Sequence, residues 1–386
     1  MIHVALPLGA AHGWGVAGKS ITKELSRLTP VQLITDPFNA DTVGDVLEFL
    51  ALVGLLPPGS TPGSGHAGAS VAGPVLQAIV DVEFNPYRPQ LRGTFNAGYT
   101  FFEDNLLIRP HVAKAREHFD LVVAGAEWCR QVLIEAGCTN VVTILQGIDP
   151  RLFNPCLNDK EFFHDKFVIF SGGKFELRKG QDVVIRAFKV MQEKYRDVLL
   201  INQWFNAWPA SLVTMADSKL IRYAQRTNDY FQFLNQLLSD NGIDLARVIS
   251  LGPQPNAIVS RLYKNTDVGL FPNRCEGGTN LVMNEYMACG KPVIAAFNTG
   301  QKDVLTATNS RRIMTNRPFT VHRNGQAVAT WEEPDLDETI AHLEWAYHHR
   351  DELKYLGDQA GQDQQKLTWQ RTAEQFCKVL TQGREA

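Results

Sequence analysis

The sequence predicts an α/β protein built from two doubly wound parallel sheets. Three observations predict it. Short apolar runs alternate with segments whose apolar residues recur at helical spacing, a polar break interrupts the series at 154–165, and the series then starts again. Strands alternating with helices give a parallel sheet covered on both faces, and two such series joined by one linker leave a cleft between them.

In the first series, residues 2–8 and 31–34 predict strands, and Ile21, Leu25 and Leu28 mark a helix between them. Runs at 78–82, 121–124 and 141–145 continue it, with a helix near 128–136. Residues 57–74 are rich in Pro, Gly, Ser and Ala; they lack the apolar side chains for a core and predict a mobile loop. The linker carries Pro155. Beyond it, 167–170 predicts a strand, and Val184, Ala187, Phe188 and Met191 predict a helix by their i, i+3, i+4, i+7 spacing. Further strands are expected at 198–202, 248–251, 268–271 and 293–295. Trp369, Ala373, Phe376 and Leu380 form one stripe on a last helix. The expected units are 1–155, 156–360 and a terminal segment 361–386.

Composition narrows the partners. The chain has 386 residues, enough for two cores, with 38 Lys+Arg against 41 Asp+Glu and a formal charge of −3. That balance gives no support to a nucleic-acid partner. The six cysteines form no CxxC pair and read as free thiols of a reducing cytoplasm. Residues 2–8 enter a strand directly, with no basic leader, and the longest apolar stretch, 49–56, is too short to span a bilayer. A cytoplasmic location is expected, with peripheral membrane contact left open.

Residues 276–295 carry the most chemical information. The apolar run 268–271 is followed by a glycine-rich loop and a helix with Val282, Tyr286 and Cys289 at helical spacing. Gly290 ends that helix and Pro292 opens the next strand. Glu276 and Glu285 bracket the helix N-terminus. Free N–H groups and the macrodipole at such a terminus attract anions, and carboxylates beside it hold hydroxyls. A sugar nucleotide has both features. The second series opens with Ser171-Gly172-Gly173-Lys174-Phe175-Glu176-Leu177-Arg178-Lys179-Gly180, a diglycine at a strand end followed by three cations. Lys174 and Lys179, with Arg178 as a third, are placed to neutralise a diphosphate leaving group without a metal.

These two segments, with Gln146-Gly147-Ile148-Asp149, Ala126-Glu127-Trp128 and the Trp369 helix, resemble the family 4 glycosyltransferases of the GT-B fold. The resemblance covers most of the chain from about residue 99 onward. It implies that Glu285 grips ribose hydroxyls and that Glu276 contacts the transferred sugar. It implies that Gly277, Gly278, Thr279 and Asn280 face that sugar and the phosphates. Lys174 and Lys179, with Gly173 and Arg178 beside them, would hold the diphosphate. One departure stands out: most members separate the two glutamates by seven residues, and here eight intervene, with Asn284 at the usual place.

Gly13-Trp14-Gly15-Val16-Ala17-Gly18 satisfies the dinucleotide pattern, with Asp36 at the end of the next strand, and through Gly18-Lys19-Ser20 it also satisfies the P-loop pattern. Gly9 to His12 separate it from the strand, too far for a tight turn onto a pyrophosphate. By the resemblance, Gly13, Gly15 and Gly18 form a loop facing the donor phosphates, and Lys19 is a first-turn helix residue without a nucleotide role. Acceptor contacts are expected from the first unit, with His12, Tyr99, Glu103 and Asp104 as candidates; the alternative reading of these is loop polar groups and a buried tyrosine. Asp335-Leu336-Asp337 reads as a helix start with Asp337 as N-cap, and His342, His348 and His349 read as solvated surface. Trp204, Phe205 and Trp208, around Asn206, read as packing at a domain edge, with an acceptor platform as the second reading.

The function expected is transfer of a sugar from a nucleoside-diphosphate donor to a glycan, glycolipid or other hydroxyl acceptor, with retention of configuration as in family 4. No cofactor or metal is expected. Two alternatives are an NAD-dependent oxidoreductase using the Gly13 to Gly18 segment, and a non-catalytic sugar-nucleotide or glycan-binding module.

Overall fold

The computed structural model describes residues 1–64, 70–106, 109–156, 160–206 and 209–382. Two six-stranded sheets dominate it. The first contains β1 (Ile2–Ala5), β2 (Val31–Leu33), β3 (Val75–Ala78), β4 (Asn96–Thr100), β5 (Leu121–Ala124) and β6 (Val141–Thr143), in the order β2-β1-β3-β4-β5-β6. The second contains β7 (Phe167–Gly173), β8 (Val198–Trp204), β9 (Val248–Ser250), β10 (Val268–Phe271), β11 (Val293–Ala296) and β12 (Arg311–Ile313), in the order β12-β11-β10-β7-β8-β9. All pairs in both sheets are parallel. A separate antiparallel hairpin joins β13 (Asn316–Arg323) to β14 (Gln326–Pro334).

The strands are apolar runs because both faces are covered. In β7, Ile169 packs with Val184, Phe188 and Met191 of helix Gln181–Lys194, while its neighbour Phe170 packs on the opposite face with Met283, Tyr286 and Met287 of helix Leu281–Ala288. That alternation is the two-residue period of a strand. Among the described residues, no helix is long and apolar enough to cross a membrane.

The last helix, Trp369–Gln382, returns to the first sheet. Its Trp369, Ala373, Phe376 and Leu380 share a buried cluster with Ile21 and Leu25 of helix Gly13–Leu28. Thr372 Oγ1 donates to Leu145 O at 2.9 Å, and Phe376 meets Tyr99 edge to face at 5.0 Å. Where the chain crosses back, Ile148 N–H donates to Leu367 O and Trp369 N–H to Ile148 O. A Cβ on Gly147 would lie 2.2 Å from Trp369 N, so this crossing requires glycine.

Several expectations need correction. The strand expected at 78–82 is β3, ending at Ala78, because the Asp81 carboxylate accepts from the N–H groups of Glu83 and Asn85 and closes a turn there. β7 continues through the diglycine instead of ending before it. β4, β12 and the hairpin were not expected. The described parts of 57–74 lie outside the longer elements, Ser70 bridges Arg92, and the rest of that expectation falls outside the described residues. Asp335 is the N-cap of helix Leu336–His348, and Asp337 sits in its first turn. His342 is engaged by Arg311 and by Arg312 O, and His348 by the Tyr195 hydroxyl, so these two are not simply solvated. Trp204 is a core residue donating to Ser171 Oγ at 3.1 Å; Trp208 lies outside the described residues.

Candidate active site

The order of the second sheet reverses between β7 and β10, and ligands of open α/β sheets sit beyond the carboxyl ends of strands at such a point. Two loops leave there. The first follows β7, where Gly173 adopts φ +114° and the Lys179 side chain runs past it. The second follows β10 and carries Asn273, Arg274 and Glu276.

A buried ionic cluster joins the loops. Lys179 Nζ lies 2.5 Å from Glu276 Oε1, and Arg178 Nη1 lies 3.0 Å from Oε2. Asn273 also donates to Oε1. Burial alone would raise the Glu276 carboxyl, but Lys179 and Arg178 outweigh it and hold the pKa below the usual value. Arg178 also meets Glu176 at 2.6 Å and donates to Cys275 O. Its guanidinium is thus engaged by protein acceptors, as the Lys179 ammonium is by Glu276. Lys174 is more exposed, 3.6 Å from Glu176.

Next to this cluster, the backbone N–H groups from Gly277 to Val282 donate no hydrogen bond among the described residues. They lead into the N-terminus of helix Leu281–Ala288, whose N-cap Asn280 adopts φ +65° and accepts from Met283 N–H. The Thr279 hydroxyl accepts from Asn284 Nδ2 at 2.7 Å. The side chains of Thr279 and Asn280 are thus engaged internally, and the loop offers its backbone.

Glu285 lies one turn into this helix. Leu281 and Glu285, four apart, share one face, and a Cβ on Gly13 would meet Leu281 Cδ1 at 3.9 Å, so that face looks toward the first sheet's helix. Glu285 is half-buried with no hydrogen-bond or ion-pair partner among the described residues. Burial raises its pKa to about 8, against a smaller opposing pull from Lys19. Asn284 is fully buried. The eight-residue spacing therefore puts Glu285, not Asn284, on the open side of the helix.

The first unit supplies the opposite wall. His12 caps helix Gly13–Leu28 by accepting from Gly15 N–H at 3.0 Å, and burial with the nearby Lys174 charge lowers its pKa. Glu103 Oε1 lies 3.4 Å from Arg178 Nη1. Several calls on this wall are corrected. Residues 13–18 are helix, not loop. Gly15 has its N–H taken by His12, and its lack of a side chain allows contact with Gly9, whose backbone would lie 2.6 Å from a Cβ. Gly18 packs likewise on Pro7. Lys19 stands in the second turn, bound to Glu48 at 2.7 Å. The dinucleotide reading loses its turn, and Asp36 is engaged by Tyr87 and Arg88. Tyr99 is fully buried and donates to Ile144 O, as in the alternative reading of a buried tyrosine. Asp104 pairs with Arg323.

With this geometry in place, comparison shows what the second unit is similar to. Residues 165–320 match the family described as Glycosyl transferases group 1. This stretch is similar to group 1 glycosyltransferase domains. An uncharacterized glycosyltransferase of Methanocaldococcus jannaschii is 28% identical over 147 residues, which cover 38% of this chain and 30% of that relative. The chain thus aligns with under a third of the length of the curated relative it matches. Among solved structures, HepE of Anabaena in complex with UDP superposes with TM-score 0.67 at 14% identity, covering 99% of each chain. Sucrose-phosphate synthase of Thermosynechococcus elongatus gives 0.67 at 14%, covering 99% of this chain and 98% of that one. These likenesses establish the GT-B fold. In this stretch, Arg274, Asp182 and Glu176 are buried ionic residues to which the sequence reading gave no role; the one signal for Arg274 is its place between a strand end and Glu276.

Proposed function

We propose that the chain transfers a sugar from a nucleoside-diphosphate sugar to a hydroxyl acceptor, with retention of configuration. The observation that carries this is the run of undonated N–H groups from Gly277 to Val282, flanked by the lysine cluster on one side and the unpartnered Glu285 on the other. Anion and diol recognition stand side by side. The presence of UDP in the HepE structure supports the donor class.

In this reading, Lys174, Lys179 and the helix N-terminus stabilise the charge that grows on the diphosphate as its bond to the sugar breaks. Glu276, held by Arg178 and Asn273, accepts hydrogen bonds from hydroxyls of the transferred sugar. Glu285 accepts from the ribose diol. The acceptor oxygen attacks the anomeric carbon from the face the diphosphate leaves, and a departing phosphate oxygen takes its proton. The protein's part is positioning and charge stabilisation.

A panel of nucleotide sugars, assayed for nucleoside diphosphate release with and without hydroxyl acceptors, tests the reading. Release with one donor is expected, and NMR of the product should show the donor's anomeric configuration kept. Glu285→Ala and Lys179→Ala should each weaken donor affinity by about tenfold or more. Glu276→Ala should reduce turnover more than nucleoside diphosphate affinity. Nicotinamide cofactor binding with no release from any donor would favour the oxidoreductase instead.

A further inference from the structure

The β13–β14 hairpin of the second unit grips the first. Residues 103–106, which follow β4, lie along β14 in antiparallel sense. The Asn105 side chain exchanges two hydrogen bonds with the Thr330 backbone, at 3.1 and 2.7 Å. Leu106 N–H donates to Val328 O at 3.1 Å, and Trp331 Nε1–H donates to Glu103 O at 2.8 Å. Arg323 forks onto both carboxylate oxygens of Asp104, one arm at 2.9 Å. Asp104 is only 6% exposed, while the Arg323 side chain is 58% exposed. The other end of the hairpin is anchored in the site: Glu332 N–H donates to Arg274 O, and Arg274 meets Glu333 at 2.6 Å.

We infer that this hairpin is a clasp that positions Glu103 against Arg178, with the Asp104–Arg323 pair as its latch, and that the latch governs how well a hydroxyl acceptor is held. The inference rests on the transfer reading above. Asp104 and Asn105 are engaged by the clasp, and the carbonyl of Glu103 is held by Trp331. The Glu103 carboxylate alone is left facing Arg178, one residue removed from Glu276. The Asp104–Arg323 latch lies at the hairpin end away from Arg274 and touches neither Glu285 nor Lys179, so its loss acts on the acceptor side of the cleft. Arg178 links the two sides. Glu103 is a candidate for acceptor contact; Asp104 and Arg323 are positioning residues.

The test uses the full chain with Arg323→Ala, Asp104→Asn and the charge-keeping Arg323→Lys. Arg317→Ala is the control, an exposed arginine of the same hairpin paired with Asp335 within its own unit. Arg323→Ala and Asp104→Asn should raise acceptor KM about tenfold, the loss of roughly one charged hydrogen-bonded pair, with kcat changed less than about threefold. Nucleoside diphosphate affinity should stay within about twofold, and Arg323→Lys, which keeps the charge and loses the fork, should recover only part of the loss. Hydrogen exchange at 101–106 and 326–334 should quicken in both damaging variants and not in Arg317→Ala. Unchanged exchange would dispose of the clasp. Quickened exchange with an unchanged acceptor KM would dispose of its positioning role. Exchange reads the clasp without any turnover, so a wild-type chain that releases no nucleoside diphosphate would count against the transfer reading and not against the clasp.

Discussion

Among the described residues, Glu285 is a carboxylate without a hydrogen-bond or ion-pair partner, at a place that penalises its charge. Its pKa of about 8 lies well above the ordinary 4.5, so the folded chain holds this proton more tightly than the unfolded one does. The sign follows: this group's stabilising contribution is complete below about pH 4.5 and is lost as pH rises through 8. Glu285→Gln should therefore unfold later than wild type at pH 8.5, by ~1–3 kcal/mol after allowing for its partial exposure, and the gap should close toward pH 5. Chemical denaturation at the two pH values checks it. On the proposed contact of Glu285 with the ribose diol, donor binding should release about one proton near pH 7, which calorimetry in buffers of different ionisation enthalpy checks. Glu276 and Glu285 were legible as residues because they flank a glycine loop between a strand and a helix. Their opposite ionisation was not legible, because it depends on Lys179 and Arg178 reaching one carboxylate and nothing reaching the other.

At the scale of elements, the loop after β10 is set by Arg274, fully buried and bonded to both oxygens of Asp182 at 2.8 and 2.7 Å and to Leu177 O at 2.7 Å. It ties the two loops of the site together. Asp182→Ala would leave a guanidinium buried with only Glu333 as a charged partner, and should cost about 3–5 kcal/mol in urea unfolding. Strands such as β10 were legible to the residue, because a strand buried on both faces is a continuous apolar run. β4 was not: Asn96-Ala97-Gly98-Tyr99-Thr100 has no such run, and it is a strand because its neighbours on both sides supply the ladder. The hairpin carried a signal that went unused, Asn324-Gly325, both with positive φ, between two alternating segments. Residues 13–18 misled for the opposite reason. Glycines that serve close helix packing look the same in sequence as glycines that receive a phosphate.

At the scale of the molecule, the chain passes between the units twice, at 148 and at 368, and the passages lie side by side. Gly147→Ala would place a methyl against the backbone of Trp369, and should cost about 1–3 kcal/mol and speed hydrogen exchange across helix Trp369–Gln382. The two-sheet plan was legible because two alternating series and a proline-bearing break are properties of the chain alone. The closeness of the two walls was not, since it rests on pairs such as Arg178 with Glu103 that are distant in sequence. The returning helix has a consequence for biosynthesis. A ribosome releases the first sheet and its Ile21 and Leu25 face long before it makes Trp369, Phe376 and Leu380 to cover them. During translation that oily surface waits bare while the entire second unit is produced, so the amino-terminal unit, first to emerge, is the last to be completed.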